Sequence, residues 1–319
     1  MPDTQPKEIY NRQPRGVPMA GSGKGGWVLA VFSLPFIAVG IGVVYASLTG
    51  AIPSQPNGFP PLVATAFGAS FFIAGLMLFI QGIRSLRANS QASTQRLAGR
   101  PAWEYDFAWN PQCIQDDSSR GWLGAFFFAG FMFIFLVPFN FWAFFSKQGN
   151  FFVVIIVSIF DLINAGIFLY ACYVLLRHLK YGTATLHFDR FPYVPGEPFS
   201  ASFSTARSIG RFRSITFILR CIEEHQEHSD DSTKTVFRQI YADTLELKEE
   251  GVHESSGQRL PISFPLPGGD YGTGLSTRVI PRYWELEIAA DTPGVDFNAR
   301  FLVPVYAKSD PAETSHAGH

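Results

Sequence analysis

Residues 151–188 read FFVVIIVSIFDLINAGIFLYACYVLLRHLKYGTATLHF, and two kinds of order meet inside them. Phe151–Leu176 is an almost unbroken apolar run. At about 1.5 Å per helical residue it is long enough to cross a hydrocarbon core of about 30 Å. Arg177 and Lys180 close it, and from Tyr181 onward the chain changes to the alternation of polar and apolar residues that marks a half-buried strand. A membrane helix therefore leads directly into a β-domain.

Upstream, three more segments reach the same length: Trp27–Leu48, Pro60–Ile83 and Trp122–Phe145, none with a charged residue inside it. Trp27, Trp122 and Trp142 stand near their ends, where indole rings favour the headgroup interface. Composition agrees. Of 319 residues 47% are hydrophobic and only 16% charged, against about 25% charged in soluble domains. The reading is an α+β membrane protein, a four-transmembrane-helix bundle followed by an antiparallel β-sandwich. Its parts are a flexible N-terminal tail (1–26), the helical domain (27–180) with a long loop (84–120), the sandwich (181–307) and a disordered tail (308–319).

Lys and Arg set the orientation, because short loops rich in them stay in the cytoplasm. Lys7, Arg12, Arg15 and Lys24 precede the first span; Arg84, Arg87, Arg96, Arg100 and Arg120 lie between the second and third; Arg177 and Lys180 follow the fourth. Lys147 alone falls on the other side. Both termini and the sandwich are thus expected in the cytoplasm. Four-residue spacings of small residues, Ala38 with Gly42, Ala64 with Gly68 and Ala125 with Ala129, are candidate helix contacts. Pro35 and Pro138 are expected to kink their helices.

The fourth span is interrupted by Asp161, with Asn164 one turn further along and Asn140 near the outer end of the third span. A carboxylate inside a membrane is costly and marks a functional candidate. It serves assembly by hydrogen bonding to a neighbouring helix, or it carries a proton or ion.

The loop 84–120 begins with a polar run that extends the second helix. It continues as PAWEYDFAWNP (101–111), where Trp103, Tyr105, Phe107 and Trp109 alternate with Glu104 and Asp106. That period suits a short strand or an interfacial segment, with the rings against the membrane surface or a neighbouring domain, or forming a stacking cage for a ligand.

Beyond Tyr181, Phe199, Ala201 and Phe203 alternate with serines, Leu260, Ile262, Phe264 and Leu266 alternate with Pro and Ser, and Trp284, Leu286 and Ile288 alternate with Tyr283, Glu285 and Glu287. With Thr183–Phe188, Arg213–Glu223, Thr235–Leu247 and Phe297–Val305 this makes about seven strands, enough for a sandwich of Ig-like size. Pro/Gly turns separate them: VPGEP (194–198), PGGDYGTG (267–274) and DTPGVD (291–296).

VPGEPFSASF (194–203) followed by SITFILRC (214–221) resembles the arrestin-type sandwich, whose early strands carry a similar P-G-E turn. The later WELEIAADTPGVDFNARFLVPVY (284–306) resembles the ending of a set of uncharacterised bacterial inner-membrane proteins, in which a helical membrane region precedes such a domain. The resemblance covers roughly residues 101–307 and implies a bacterial inner-membrane location with no assigned activity. PAWEYDFAW departs from the pattern of those proteins, which carry P-W followed by a D-W pair.

Several chemistries lack support. Residues 181–310 carry 13 Lys and Arg against 18 Asp and Glu, a net of −5, so nucleic acid is not an expected partner. Cys113, Cys172 and Cys221 form no C-x-x-C pair. AGSGKGG (20–26) departs from a phosphate loop, with Pro18 at the first glycine position and Gly25 at the hydroxyl position. CIEEHQEH (221–228) offers Cys221, Glu224, His225 and His228, of which His225 and His228 are weak metal candidates. No cofactor is expected, and no Ser-His-Asp arrangement can be assembled. The expected role is non-enzymatic: an accessory or scaffold subunit held in the bilayer that binds other membrane protein subunits. Trp103, Tyr105, Trp109, Tyr271 and Arg278 are its interface candidates. The alternative is a small proton- or ion-coupled transporter or channel using Asp161.

Overall fold

The computed structural model describes residues 7–9, 23–51, 61–98, 100–116, 121–145, 151–207, 209, 212–229, 232–248, 259–275, 278 and 280–307. They belong to two compact units, one of Ser22–Asn89 with Gly121–Leu175, the other of Met1–Gly21, Ser90–Arg120 and Leu176–His319.

Four helices supply the first unit: α1 (Gly23–Leu48), α2 (Pro61–Leu97), α3 (Gly121–Asn140) and α4 (Phe151–Tyr181). Each contains a stretch long and apolar enough to cross a membrane. Gly23–Gly26, the end of the phosphate-loop look-alike, form the first turn of α1.

α1 and α2 meet along glycines. A Cβ on Gly40 would sit 2.5 Å from Phe72 N, one on Gly75 2.8 Å from Ile37 Cγ1, and one on Gly82 2.7 Å from Gly26 O. Gly68, Gly75 and Gly82 recur every seven residues, two helical turns, so they form one stripe on which α1 lies at backbone distance. The Ala38/Gly42 spacing is off this seam, because a Cβ on Gly42 would meet nothing within 4 Å; Gly40, two positions earlier, faces α2 instead. Gly68 of the second pair is on the seam, and Ala129 of the third is buried. Phe67, Phe71, Phe135 and Phe139 stack between α2 and α3, and Phe126 meets Phe168 of α4 edge-on. Past Pro138 and Asn140, α3 continues as a wider π-helical turn, Phe141–Phe145.

The second unit is two antiparallel sheets around one core. Its strands are β1 (Lys7–Ile9), β2 (Cys113–Gln115), β3 (Ala184–Phe188), β4 (Pro198–Thr205), β5 (Ser214–Ser229), β6 (Ser232–Lys248), β7 (Leu260–Pro265), β8 (Arg282–Ala290) and β9 (Phe297–Val303). One sheet runs β1-β6-β5-β8-β9 and the other β2-β3-β4-β7. Phe199, Phe203 and Phe264 of the smaller sheet close on Phe217, Leu219, Trp284, Leu286 and Phe301 of the larger, all essentially inaccessible. Period-two burial does this, for Ser200, Ser202 and Ser204 fall between the buried residues of β4 and face outward. Gly196 and Gly294 take φ of +86° and +88° in their turns, a region open to glycine.

Two expectations change here. The composition of residues 1–26 predicts a flexible tail, yet Lys7–Ile9 pair with Phe237–Gln239 as an edge strand. The loop 84–120 also enters the sandwich, which therefore extends beyond 181–307. α2 runs on to Leu97, as the polar run predicts, and Cys113–Gln115 then pair with Thr185–His187. The tail 308–319 lies outside the described residues.

Candidate functional site

The aromatic run 103–109 is where the chain departs most from its simplest reading. Alternate spacing suits a short strand or an interfacial segment; of these the strand does not form, because Pro101 starts a 3₁₀ turn, Ala102–Glu104, in which Glu104 N donates to Pro101 O at 3.0 Å and Asp106 N to Ala102 O at 2.9 Å. Trp109 N then closes on Phe107 O at 2.9 Å. Tight turns replace the pleat, so the rings gather instead of alternating between two faces.

Two polar contacts hold the turn. Asp106, 2% exposed, accepts a hydrogen bond from Leu275 N at 3.1 Å. Trp109 Nε1 donates to the Tyr306 hydroxyl at 3.0 Å. Burial pushes the Tyr306 phenol well above its ordinary range and the Asp106 charge adds to this, so the hydroxyl stays neutral. Phe107 lies 4.6 Å from Trp109 between ring centres, Trp109 6.2 Å from Phe191, and Trp103 6.3 Å from Tyr306. Behind them, Phe107, Trp109 and Ile114 pack on Ile222, Leu275, Tyr283 and Leu302. In front is a cavity of about 300 Å³ lined by Trp103, Glu104, Phe107, Ala108, Trp109, Pro111 and Phe191. Of the expected interface residues, Trp103 and Trp109 line it. Tyr105 is half-buried in the same turn.

Tyr271 and Arg278 lie elsewhere, each with partners of its own. The Tyr271 carbonyl accepts from Trp284 Nε1 at 2.7 Å, and its ring packs 6.3 Å from Tyr241. Arg278 forks onto Asp270, with Nη1 at 2.9 Å from Oδ2. Arg282 donates Nε at 3.0 Å and Nη2 at 2.5 Å to Glu223 Oε1, and His225 Nε2 lies 3.2 Å from the other oxygen. Burial alone would raise the Glu223 carboxyl, but the Arg282 and His225 contacts outweigh it and hold it below its ordinary value. The Arg278 hydrogen bond does the same for Asp270. These groups form an intramolecular clasp between β5, β8 and the 268–275 turn.

The described ligating side chains of CIEEHQEH do not converge. On β5, Cys221 and His225 share one face and Glu224 the other; Cys221 is fully buried, and burial pushes its thiol far up. Among the described residues no group of three or more metal-ligating side chains gathers. The side chain of His228 lies outside them.

In the helical unit, Asn140 Nδ2 donates to Asp161 Oδ1 at 2.9 Å and is 3.3 Å from Leu136 O. Asn164 Oδ1 is buried without a partner among the described residues. Elsewhere in the unit, Ser33 of α1 bonds Ala30 O and Ser70 of α2 bonds Phe67 O, each at 2.7 Å within its own helix.

Sequence reasoning did not single out Phe191, Pro111 or Tyr306. Phe191 and Tyr306 arrive from 80 and more residues away, and nothing local to FPY or VPVY signals that. The pairing of Asp106 with a distant backbone amide is equally nonlocal.

No family model matches the chain, and no curated protein matches it. Among solved structures it is similar to Spo0M, the sporulation control protein from Bacillus subtilis, at 14% sequence identity and a TM-score of 0.28, over 39% of this chain and 49% of that one. The match thus spans about half the length of that structure, and a score this low carries no argument about fold or function.

Proposed function

We propose that this chain is a non-enzymatic accessory or scaffold subunit of a bacterial inner membrane, crossing it four times and presenting an arrestin-like sandwich to the cytoplasm for other membrane proteins to bind. One observation supports the reading above the rest. The sandwich is built from three separate segments: β1 precedes α1, β2 lies between α2 and α3, and β3–β9 follow α4. A chain that crosses a bilayer twice returns to the side it left. Two pairs of crossings therefore leave all three segments on one side, and the Lys/Arg count names that side as the cytoplasm.

A domain tied to the membrane at three points in the sequence suits a subunit that holds partners at a fixed place. The test is purification in a gentle detergent followed by native mass analysis. A defined complex with other membrane subunits is the expected result. A lone monomer contradicts the proposal.

The transport reading rests on Asp161. Its carboxylate accepts a hydrogen bond from Asn140 of the third helix, which favours an assembly role over a polar route. In proteoliposomes, the wild type and Asp161→Asn should both lack ion and proton flux; flux in the wild type that disappears in the variant would reverse the assignment.

A further inference from the structure

We propose that the cavity beside Trp109 binds a small quaternary ammonium group. Its walls are two indoles, Trp103 and Trp109, two phenyl rings, Phe107 and Phe191, and the apolar Ala108 and Pro111. Aromatic faces carry negative charge density and attract cations, indoles most strongly. Among the residues that line it, Glu104 carries the one charge, and it is negative. Asp106 lies buried in the same turn as Glu104.

The lining also selects among cations. A primary ammonium brings three N–H donors that must be satisfied, and the side chains lining this cavity offer one acceptor group, the Glu104 carboxylate. A tetraalkylammonium has no donor to satisfy and loses least on leaving water. Arg100 contacts Glu104 at 2.9 Å, but both side chains are more than a third exposed. Exposed pairs of this kind are weak and give way readily. The walls are set before any ligand arrives, since Trp109 is held by Tyr306 and the turn by Asp106 on Leu275 N.

This goes beyond the accessory role and does not depend on it, because the cavity is formed within the sandwich unit alone. Trimethylammonium chemistry has two sources, a free solute or a lipid headgroup. Full-length protein in dodecyl maltoside is titrated with choline chloride and, separately, with its neutral carbon isostere 3,3-dimethylbutan-1-ol, following tryptophan fluorescence and heat. Choline should bind saturably, with the isostere weaker by about tenfold, the ratio expected for a cation over partly desolvated aromatic faces. Glu104→Gln, a surface change that leaves the fold intact, and Trp103→Ala should each weaken choline several-fold and narrow its lead over the isostere. Equal binding of the two ligands, or no saturable binding of choline, overturns the proposal. The titration is repeated in vesicles of phosphatidylglycerol and of phosphatidylcholine. Choline binding in both identifies a free solute as the ligand, binding in phosphatidylglycerol alone identifies the headgroup, and binding in neither overturns the site.

Discussion

Glu223 takes both of its strongest contacts from one guanidinium, that of Arg282, and the pair is mostly shielded from solvent, with side chains 16% and 12% exposed. A carboxylate whose pKa falls on folding stabilises the folded state above its unfolded pKa, and that stabilisation is lost as pH drops through the folded value. Glu223 starts from 4.5 and is shifted down. The sandwich should therefore hold its stability from neutral pH to about 4.5 and lose it progressively below, read as the thermal midpoint of the near-ultraviolet circular dichroism signal in detergent. Glu223→Gln should cost about 2 kcal/mol at neutral pH, because Arg282 loses its closest carboxylate and keeps only Asp270, whose Oδ2 lies 3.7 Å away, and should flatten the acid limb. A second residue pair is tested by comparing two variants in the helical unit. Asp161→Asn keeps an acceptor for Asn140, whereas Asn140→Leu removes the donor, so Asn140→Leu should lower the thermal midpoint more, by the equivalent of about 1 kcal/mol. The reverse order would mean that the Asp161 carboxyl stabilises the unit through something other than this contact.

The α1–α2 hairpin depends on the glycine stripe, and Gly40 is its tightest point, with Phe72 N 2.5 Å from where a Cβ would stand. Backbone cannot swing aside as a long side chain can. Gly40→Val should destabilise the helical unit by about 1–3 kcal/mol or separate the two helices, while Gly42→Ala, which meets nothing within 4 Å, should be neutral. Thermal unfolding in detergent compares them. This is also where the sequence was hardest to phase: small residues lie every few positions along α1, and spacing alone gives no way to choose Gly40 over Gly42. The spans themselves were legible because a run of about 20 apolar residues has few other uses. The seven longer strands were legible from period two. β1 and β2 were not, since three residues, Lys7–Ile9 or Cys113–Gln115, are too short to show a period, and their pairing partners lie far along the chain. The 103–109 turn was misleading for a related reason. Its alternation is genuine, but Pro101 and the hydrogen bonds onto Pro101 O and Ala102 O curl the backbone before a strand can form.

Taken together, the chain interleaves its two units. The segment before α1, the segment between α2 and α3, and everything after α4 build one sandwich, and the helices between them are the four that could span a bilayer. If the four helices cross a bilayer, such an arrangement assembles only when both helical hairpins return the chain to the side from which it came. A single helix that failed to cross would strand β1 or β2 away from β6 or β3. The aromatic cavity depends on the same condition, because Trp103, Phe107 and Trp109 come from the middle segment and Phe191 from the last. The direct test is a set of alkaline phosphatase fusions placed after Ala51, Ala98, Phe145 and Ala307, read as activity in intact cells. The account predicts active, inactive, active and inactive in that order; activity that differs between the Ala98 and Ala307 fusions would contradict it.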